Sequence, residues 1–187
     1  IRGLTRRISY QAAHDALTGL INRGEFERRL AETLEGGHGD SVNSVLCYMD
    51  LDRFKAVNDT CGHLAGDNML REVAKLIRDQ VRDSDFVARP GGDEFGMLLI
   101  RCPLDKARQI ADDVCNAIRD YRFVWQDRIF TIGISIGLVE VSRESGTLKD
   151  LLSAADSACY VAKQQGRGRV HVYSARDEVS ARQRGDI

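Results

Sequence analysis

Proline is scarce in this sequence, with two residues among 187, and aromatic side chains make up only 6% of the chain. Neither sign of charge dominates, because 27 basic residues face 28 acidic ones and the formal net charge is −1. The chain therefore lacks the basic excess of a general nucleic-acid binder and the polybasic bias of a protein that contacts anionic membranes. No apolar run approaches the roughly 18–20 residues that span a bilayer. Since 43% of the residues are hydrophobic, we expect one soluble globular domain rather than a disordered, collagen-like or coiled-coil chain.

Paired cysteine motifs are also missing from the sequence. The five cysteines are odd in number, widely scattered and set among apolar neighbours, at Cys47, Cys61, Cys102, Cys115 and Cys159. This pattern predicts reduced, buried thiols rather than disulfides or a zinc site. No secretory signal precedes them, so we expect a cytoplasmic location. The chain starts at Ile1 and ends in a polar stretch, which favours a piece of a longer protein.

Hydrophobic periodicity predicts alternating helices and strands. A helix begins near Asn22, a plausible N-cap, and the apolar positions of residues 64–81 and 103–121 recur at helical spacing. Thr147 and Asp150 form a capping box that starts another helix. Residues 42–49, 85–89, 94–101, 128–141 and 169–173 are the predicted strands, the second and third joined as a hairpin through Pro90 and two glycines. The resulting order predicts a mixed α/β (α+β) fold with a ferredoxin-like βαββαβ sheet flanked by helices.

Two acidic pairs stand out at the ends of predicted strands. Asp93 and Glu94 follow the glycines Gly91 and Gly92, which allow a sharp turn and a close approach of a ligand to the backbone, and a second pair, Asp50 and Asp52, ends another strand. The topology of a ferredoxin-like sheet brings these ends together, and clustered carboxylates favour Mg²⁺ or Mn²⁺. The alternative at this point is a solvated surface turn.

Seven short motifs then occur in order along the chain. They are DALTGLINR at residues 15–23, DLDRFKAVND at 50–59, GH at 62–63 with GD at 66–67, RDSD at 82–85, GGDEF at 91–95, SIG at 135–137, and AD at 155–156 with YVAKQQGR at 160–167. Together they resemble the GGDEF family of diguanylate cyclases, which make cyclic di-GMP from GTP. The resemblance covers residues 15–173 and implies a fold of the nucleotidyl-cyclase and polymerase-palm type. Residues 1–14 are then a linker or signalling helix and residues 174–187 a C-terminal linker.

The resemblance also implies roles for particular residues. The metal ligands of the family fall on Asp50, the carbonyl of Leu51, Asp93 and Glu94, which would hold two Mg²⁺ (or Mn²⁺) ions per GTP, and the three acids are the implied catalytic residues. The guanine contacts of the family fall on Asn58 and Asp67, and further GTP contacts fall on the hairpin glycines Gly91 and Gly92. The phosphate contacts fall on the loop Arg53-Phe54-Lys55 and on Lys163 and Arg167. We predict that Lys163 and Arg167 share one face of the last helix.

The implied activity is condensation of two GTP molecules into cyclic di-GMP by a two-fold homodimer, with an upstream sensor and a downstream EAL phosphodiesterase domain as candidate neighbours. Arg82 and Asp85 match the RxxD pattern of the inhibitory product site of the family, although the pair is also an ordinary helix-to-strand connection. Pro90, Gly24, Gly133 and Gly168 depart from the common family pattern. The alternative function is a catalytically weak or inactive module that binds GTP or cyclic di-GMP and regulates an EAL domain.

Overall fold

A five-stranded sheet forms the centre of the computed structural model, which describes Tyr10, residues 12–36 and residues 42–177. Its strands are β1 (Ser44–Asp52), β2 (Phe86–Gly91), β3 (Glu94–Leu99), β6 (Gly133–Val141) and β7 (Val170–Val172). The strand order is β2-β3-β1-β6-β7, antiparallel except for the parallel pair β6 and β7. The first four strands have the order of a ferredoxin-like βαββαβ unit, so the predicted fold class is confirmed.

Helices cover both faces of the sheet. The helices are α1 (Arg23–Glu35), α2 (Phe54–Cys61), α3 (His63–Gln80), α4 (Leu104–Asp120) and α5 (Leu148–Gln164). Side chains alternate along β1, so that Val45 and Met49 join the core with α3 and α4, whereas Leu46 joins a second core with α1 and α5. The residues at the far end of β1 are therefore presented to both helical layers.

The predicted helix starts agree with the structure. The side chain of Asn22 accepts the backbone N–H of Glu25 at 3.0 Å and caps α1. Thr147 and Asp150 form a reciprocal capping box at the start of α5. All five cysteines are free, and four of them are buried, as their apolar neighbours predict.

Two element predictions were wrong. Residues 53–55 were expected in a loop, but a short helix begins at Phe54. The helix was missed because only two of its residues, Phe54 and Val57, are buried, which is too few to show a helical period. Residues 128–141 were expected as one strand region. Instead β5 (Arg128–Phe130) pairs with β4 (Phe123–Trp125) in a separate hairpin, and β6 starts at Gly133.

Most of the two predicted linkers lies outside the described residues, namely residues 1–9 and 11 at one end and 178–187 at the other. At the C-terminal end, Asp177 is buried and its carboxylate contacts His171 of β7 and the N–H of Ser174. The chain is therefore attached to the sheet for several residues beyond β7. No helix among the described residues combines the length and apolar character that crossing a membrane requires.

Candidate active site

The two acidic pairs meet at one end of the sheet, as the sequence predicts. Asp50 of β1 lies opposite Glu94 of β3 in the antiparallel register, and the N–H of Leu51 donates to the carbonyl of Asp93 at 3.1 Å. On the other side of β1, Asp50 lies opposite Ser135 of β6. The carboxylates of Asp50, Asp93 and Glu94 therefore belong to one site.

The hairpin that carries Asp93 closes in two residues. Gly91 pairs with Glu94, and Gly92 has a φ of 52°, in the left-handed region that glycine adopts without a Cβ penalty. The register of β2 shifts between Ala88 and Gly91. Pro90 lies inside this irregularity, where its missing N–H removes no regular ladder bond.

Asp50 carries an unsatisfied oxygen. Its Oδ2 pairs with the ammonium of Lys163, whereas its Oδ1 is buried and has no hydrogen-bond partner among the described residues. Burial raises the pKa of Asp50, and the neighbouring charge of Asp93 raises it further, although Lys163 opposes both effects. A buried carboxylate oxygen without a donor, next to a second carboxylate, fits a divalent cation with oxygen ligands. Within the described chain, no three His, Cys, Asp or Glu side chains already surround a common point as metal ligands would.

Asp52 has a different role from Asp50, although the sequence groups the two. It is 5% exposed, accepts the hydroxyl of Ser135 at 2.8 Å and the N–H of Gly168 at 2.9 Å, and lies 3.7 Å from a guanidinium nitrogen of Arg167. A Cβ at Gly133 would come within 3.0 Å of its Oδ2. Asp52 therefore attaches the turn after α5 to the sheet, and glycine at 133 and 168 suits this contact.

Asn58 and Asp67 lie on the two successive helices α2 and α3, at their junction around Gly62. Asn58 packs so closely against Gly66 that a Cβ there would overlap its amide oxygen. Gly66 directly precedes Asp67, and both predicted guanine-binding side chains are only partly buried. The structure therefore brings them into one neighbourhood.

Arg53 and Lys55 are exposed at the start of α2, whereas Phe54 is buried. Arg53 itself has a φ of 64° and occupies the N-cap position without a side-chain cap. The first N–H groups of a helix have no intrahelical acceptor. The segment of residues 53–55, predicted to contact GTP as a loop, is thus the first turn of α2.

Lys163 and Arg167 do not share a helix face, and this prediction was wrong. Helix α5 ends at Gln164, and the N–H groups of Gly166 and Arg167 bond back to the carbonyls of Lys163 and Ala162. This pattern is a Schellman motif, with Gly166 at a positive φ of 128°. Both cations still reach the site from there, Lys163 at Asp50 and Arg167 near Asp52.

Arg82 and Asp85 bind each other. Two guanidinium nitrogens of Arg82 donate to the two oxygens of Asp85 at 2.8 and 2.9 Å, and the Asp85 carboxylate also accepts the N–H groups of Arg82 and Ile100. Its side chain is fully buried, while that of Arg82 is 42% exposed. The structure brings the two residues together but leaves only Arg82 accessible to a ligand.

The family is decided by comparison with known proteins. The family description "Diguanylate cyclase, GGDEF domain" matches residues 12–169. The chain belongs to the GGDEF family. It is 46% identical over 172 residues to the probable diguanylate cyclase DgcE of Escherichia coli K12, covering 92% of this chain and 16% of that protein. It is 39% identical to the diguanylate cyclase TpbB of Pseudomonas aeruginosa, and the match covers 86% of this chain and 37% of TpbB. It is 33% identical to the cyclic di-GMP phosphodiesterase PdeB of Shewanella oneidensis, and that match covers 97% of this chain and 21% of PdeB.

Solved GGDEF domains have the same fold. The GGDEF domain of TpbB, at 37% identity, superimposes with a TM-score of 0.83 and covers 90% of this chain and 99% of that one. DgcB of Caulobacter crescentus, solved with its coiled coil and cyclic di-GMP, is 28% identical, with a TM-score of 0.85 and 91% coverage of both chains. The chain spans well under half the length of full-length DgcE, TpbB and PdeB.

The GGDEF hairpin is attached to the N-terminal segment by two residues that we did not assign to the site from sequence. Two nitrogens of Arg89 donate to the carbonyl of Gly92 at 3.0 and 2.8 Å, and a third contacts both oxygens of Asp15. Asp15 also accepts the N–H and hydroxyl of Thr18. The motif at residues 15–23 is the only sequence signal for this attachment.

Tyr48 is a further residue of this GGDEF site that sequence reasoning missed. It lies two residues before Asp50, opposite Gly96 on one neighbouring strand and Gly137 on the other. Burial raises the pKa of Tyr48, and the neighbouring carboxylate of Glu94 raises it further, so the phenol stays protonated. Two glycines opposite an aromatic residue are the signal that could have indicated it.

Proposed function

We propose that this domain is a diguanylate cyclase that joins two GTP molecules into cyclic di-GMP. The observation that carries the proposal is the orphaned, buried Oδ1 of Asp50 beside the GGDEF hairpin, in a site that has cations at Lys163 and Arg167. Relatives named diguanylate cyclases support the reaction class. In each of two steps a 3′-oxygen attacks an α-phosphate, its proton leaves, and pyrophosphate departs.

The acidic residues of the site would hold Mg²⁺ or Mn²⁺, two ions per GTP. Asp50, Asp93, Glu94 and the carbonyl of Leu51 are the proposed ligands. When bound, such ions neutralise phosphate charge and lower the pKa of the attacking hydroxyl. Tyr48, a protonated phenol beside Glu94, would help to position that carboxylate.

The remaining site residues bind and orient GTP. Asn58 and Asp67 would hydrogen-bond the guanine edge, and a mismatched base would leave one of these polar groups unpaired. The first turn of α2 at Arg53, Phe54 and Lys55 would donate N–H groups to the phosphates. Lys163 and Arg167 add positive charge there. Gly91 and Gly92 leave room at the hairpin, because a Cβ added at either position would meet no atom within 4 Å.

Two copies of the domain would complete the active site. Each copy binds one GTP, so in-line attack requires two domains that face each other across a two-fold axis. An upstream sensor that aligns the copies would then control the rate, and an EAL domain is a candidate downstream neighbour. Because GTP is an intracellular nucleotide, we propose that the domain works in the cytoplasm.

We also propose that cyclic di-GMP inhibits the enzyme through Arg82. The Asp85 carboxylate already accepts four hydrogen bonds and is buried, so its role is to orient the guanidinium. Arg82 borders a surface cavity of about 250 Å³ that Arg78 also lines. The exposed guanidinium of Arg82 would bind a phosphate group of the product, although Asp83 also lines this cavity.

The alternative function is a binding module without turnover. The similarity to PdeB supports it, because the segment of PdeB that resembles this chain belongs to a protein named as a phosphodiesterase. In that case the same site would bind GTP or cyclic di-GMP and transmit the binding to a neighbouring EAL domain.

The deciding experiment incubates the purified chain with GTP and Mg²⁺ and measures cyclic di-GMP by chromatography. We expect product from the wild type, none from Asp93→Ala, and unchanged product from Asp113→Ala, whose exposed side chain lies on α4. Nucleotide binding without product, even at high protein concentration, would favour the binding module. Absence of both would contradict both functions.

A further inference from the structure

A basic cavity lies beside the proposed triphosphate site. It has a volume of about 390 Å³ and sits where β1 ends, β6 begins, α4 ends and the turn after α5 passes. Its lining includes Asp52, Gly168 and four arginines. The arginines are Arg53, Arg119, Arg122 and Arg167. Arg53 and Arg167 already belong to the proposed GTP site, whereas Arg119 and Arg122 have no part in it.

The charge in this cavity is largely uncompensated. Its one carboxylate, Asp52, is buried, accepts hydrogen bonds from Ser135 and Gly168, and pairs with Arg167 alone among the four arginines. Within the described part of the chain, neither Arg53 nor Arg122 takes part in an ion pair. Arg119 pairs with Asp120, but both side chains are more than 60% exposed, so that pair is screened by water and easily exchanged.

The chemistry of the lining selects the class of ligand. Guanidinium groups bind phosphate oxygens with two parallel hydrogen bonds, and several of them together match an anion that carries several charges. The volume of about 390 Å³ is larger than a single phosphate needs, and Arg53 and Arg167 line the cavity while also belonging to the proposed triphosphate site. A diphosphate group satisfies both conditions.

We propose that Arg119 and Arg122 complete a diphosphate-binding pocket, which extends the site beyond Arg53 and Arg167. The proposal rests on the proposed function for its source of ligand. The diphosphate is either the β- and γ-phosphates of bound GTP or the pyrophosphate that leaves after attack. In both cases Arg119 and Arg122 contact a group that the reaction releases.

The test is calorimetric binding of inorganic pyrophosphate to the purified chain, with and without Mg²⁺. We expect the double variant Arg119→Ala/Arg122→Ala to bind pyrophosphate at least about tenfold more weakly than the wild type. The matched control is Arg108→Ala/Arg143→Ala, which removes the same charge from two positions outside the cavity and should change the affinity less than about twofold. Arg119→Lys/Arg122→Lys, which keeps the charge, should retain intermediate affinity and guards against misfolding of the alanine variant.

GTP and GMP distinguish the two sources. If the pocket receives the terminal phosphates of GTP, the alanine double variant binds GTP more weakly but GMP normally. If it receives released pyrophosphate, binding of both nucleotides is unchanged and only pyrophosphate is affected. Equal pyrophosphate affinity in the two double variants, or no binding by the wild type, would overturn the proposal. Since this binding needs no turnover, a chain that makes no cyclic di-GMP contradicts the proposed function without contradicting the pocket.

Discussion

At the scale of single residues, the site depends on its glycines as much as on its polar side chains, because each glycine leaves space for a neighbour. Asn58 occupies space beside α3 that exists only because residue 66 is a glycine. Gly133 leaves room for Asp52 in the same way, and Gly96 and Gly137 leave the strand positions on both sides of Tyr48 without side chains. Glycine at these positions therefore determines where the polar residues of the site lie.

Gly66→Ala should weaken GTP binding without unfolding the protein. The new Cβ would lie 2.9 Å from Cγ of Asn58, so this partly buried side chain must rotate away. We expect the KM for GTP to rise about tenfold, which corresponds to the loss of roughly one good hydrogen bond. Asn58→Ala should have the same effect, and the double variant should show no further loss. Additive effects of the two substitutions, or a normal KM in either variant, would contradict this account.

Asp15 should stabilise the fold in a pH-dependent way. Burial alone would raise the pKa of Asp15, but hydrogen bonds from Thr18 and the charge of Arg89 hold it below its ordinary value. A carboxyl with a lowered folded-state pKa contributes stability above its unfolded pKa of about 3.9 and loses it as the pH falls through the folded value.

The corresponding variant is Asp15→Asn, measured by urea unfolding between pH 3 and pH 8. We expect a loss of about 1–2 kcal/mol at neutral pH, because charged hydrogen bonds are replaced by neutral ones. The difference from the wild type should shrink below about pH 4. Asp113→Asn, at an exposed position, serves as the control and should change stability by less than about 0.5 kcal/mol. A destabilisation of Asp15→Asn that is constant down to pH 3 would contradict the assignment.

At the scale of elements, long periodic segments could be predicted from sequence and short ones could not. Helices α3 and α4 are 18 and 17 residues long, and their apolar spacing is evident. Helix α2 has eight residues and two buried side chains, too few to establish a period. The end of α5 was also missed, since it depends on the backbone of Gly166 rather than on any side-chain pattern.

Gly137→Ala should separate α5 from the sheet. A Cβ at this position would lie 2.6 Å from the carbonyl oxygen of Ala155 and overlap the backbone N of Cys159, and neither backbone atom can rotate away. We expect a loss of about 3 kcal/mol in the free energy of unfolding, at the upper end of ordinary overpacking. Gly91→Ala, which meets no atom within 4 Å, is the control for stability. Urea unfolding of both variants checks this, and equal stabilities would mean that α5 packs elsewhere.

At the scale of the whole molecule, the site combines residues that are more than 40 positions apart. Asp50 and Glu94 could be placed together from sequence because the strand order of a ferredoxin-like sheet makes β1 and β3 neighbours. The ion pairs Lys163–Asp50 and Arg89–Asp15 could not be predicted in this way. Each depends on the conformation of a long, flexible side chain in the folded protein. The basic cavity was missed for the same reason, because its four arginines come from three separate segments.

Specific activity should rise with protein concentration. If each domain supplies one GTP, turnover requires an encounter of two chains, and dilution lowers the dimer fraction by mass action. Cyclic di-GMP formation per chain should therefore fall steeply over a hundredfold dilution, whereas GTP bound per chain at saturation should stay constant. A specific activity that is independent of concentration would contradict the dimeric site or require a dimer that survives the dilution, and sedimentation at the same concentrations distinguishes these outcomes.

The pairing of Arg82 with Asp85 has a consequence for how feedback control is gained and lost in evolution. The pair joins the end of α3 to Ile100 at the end of β3, so the fold benefits from it whether or not a product molecule ever binds. Selection for stability alone would then retain both residues after inhibition had disappeared. In a survey of genomes, counting RxxD pairs of this kind would therefore class some enzymes as feedback-regulated when they are not. Exposure of the arginine side chain, as at Arg82, is the better marker.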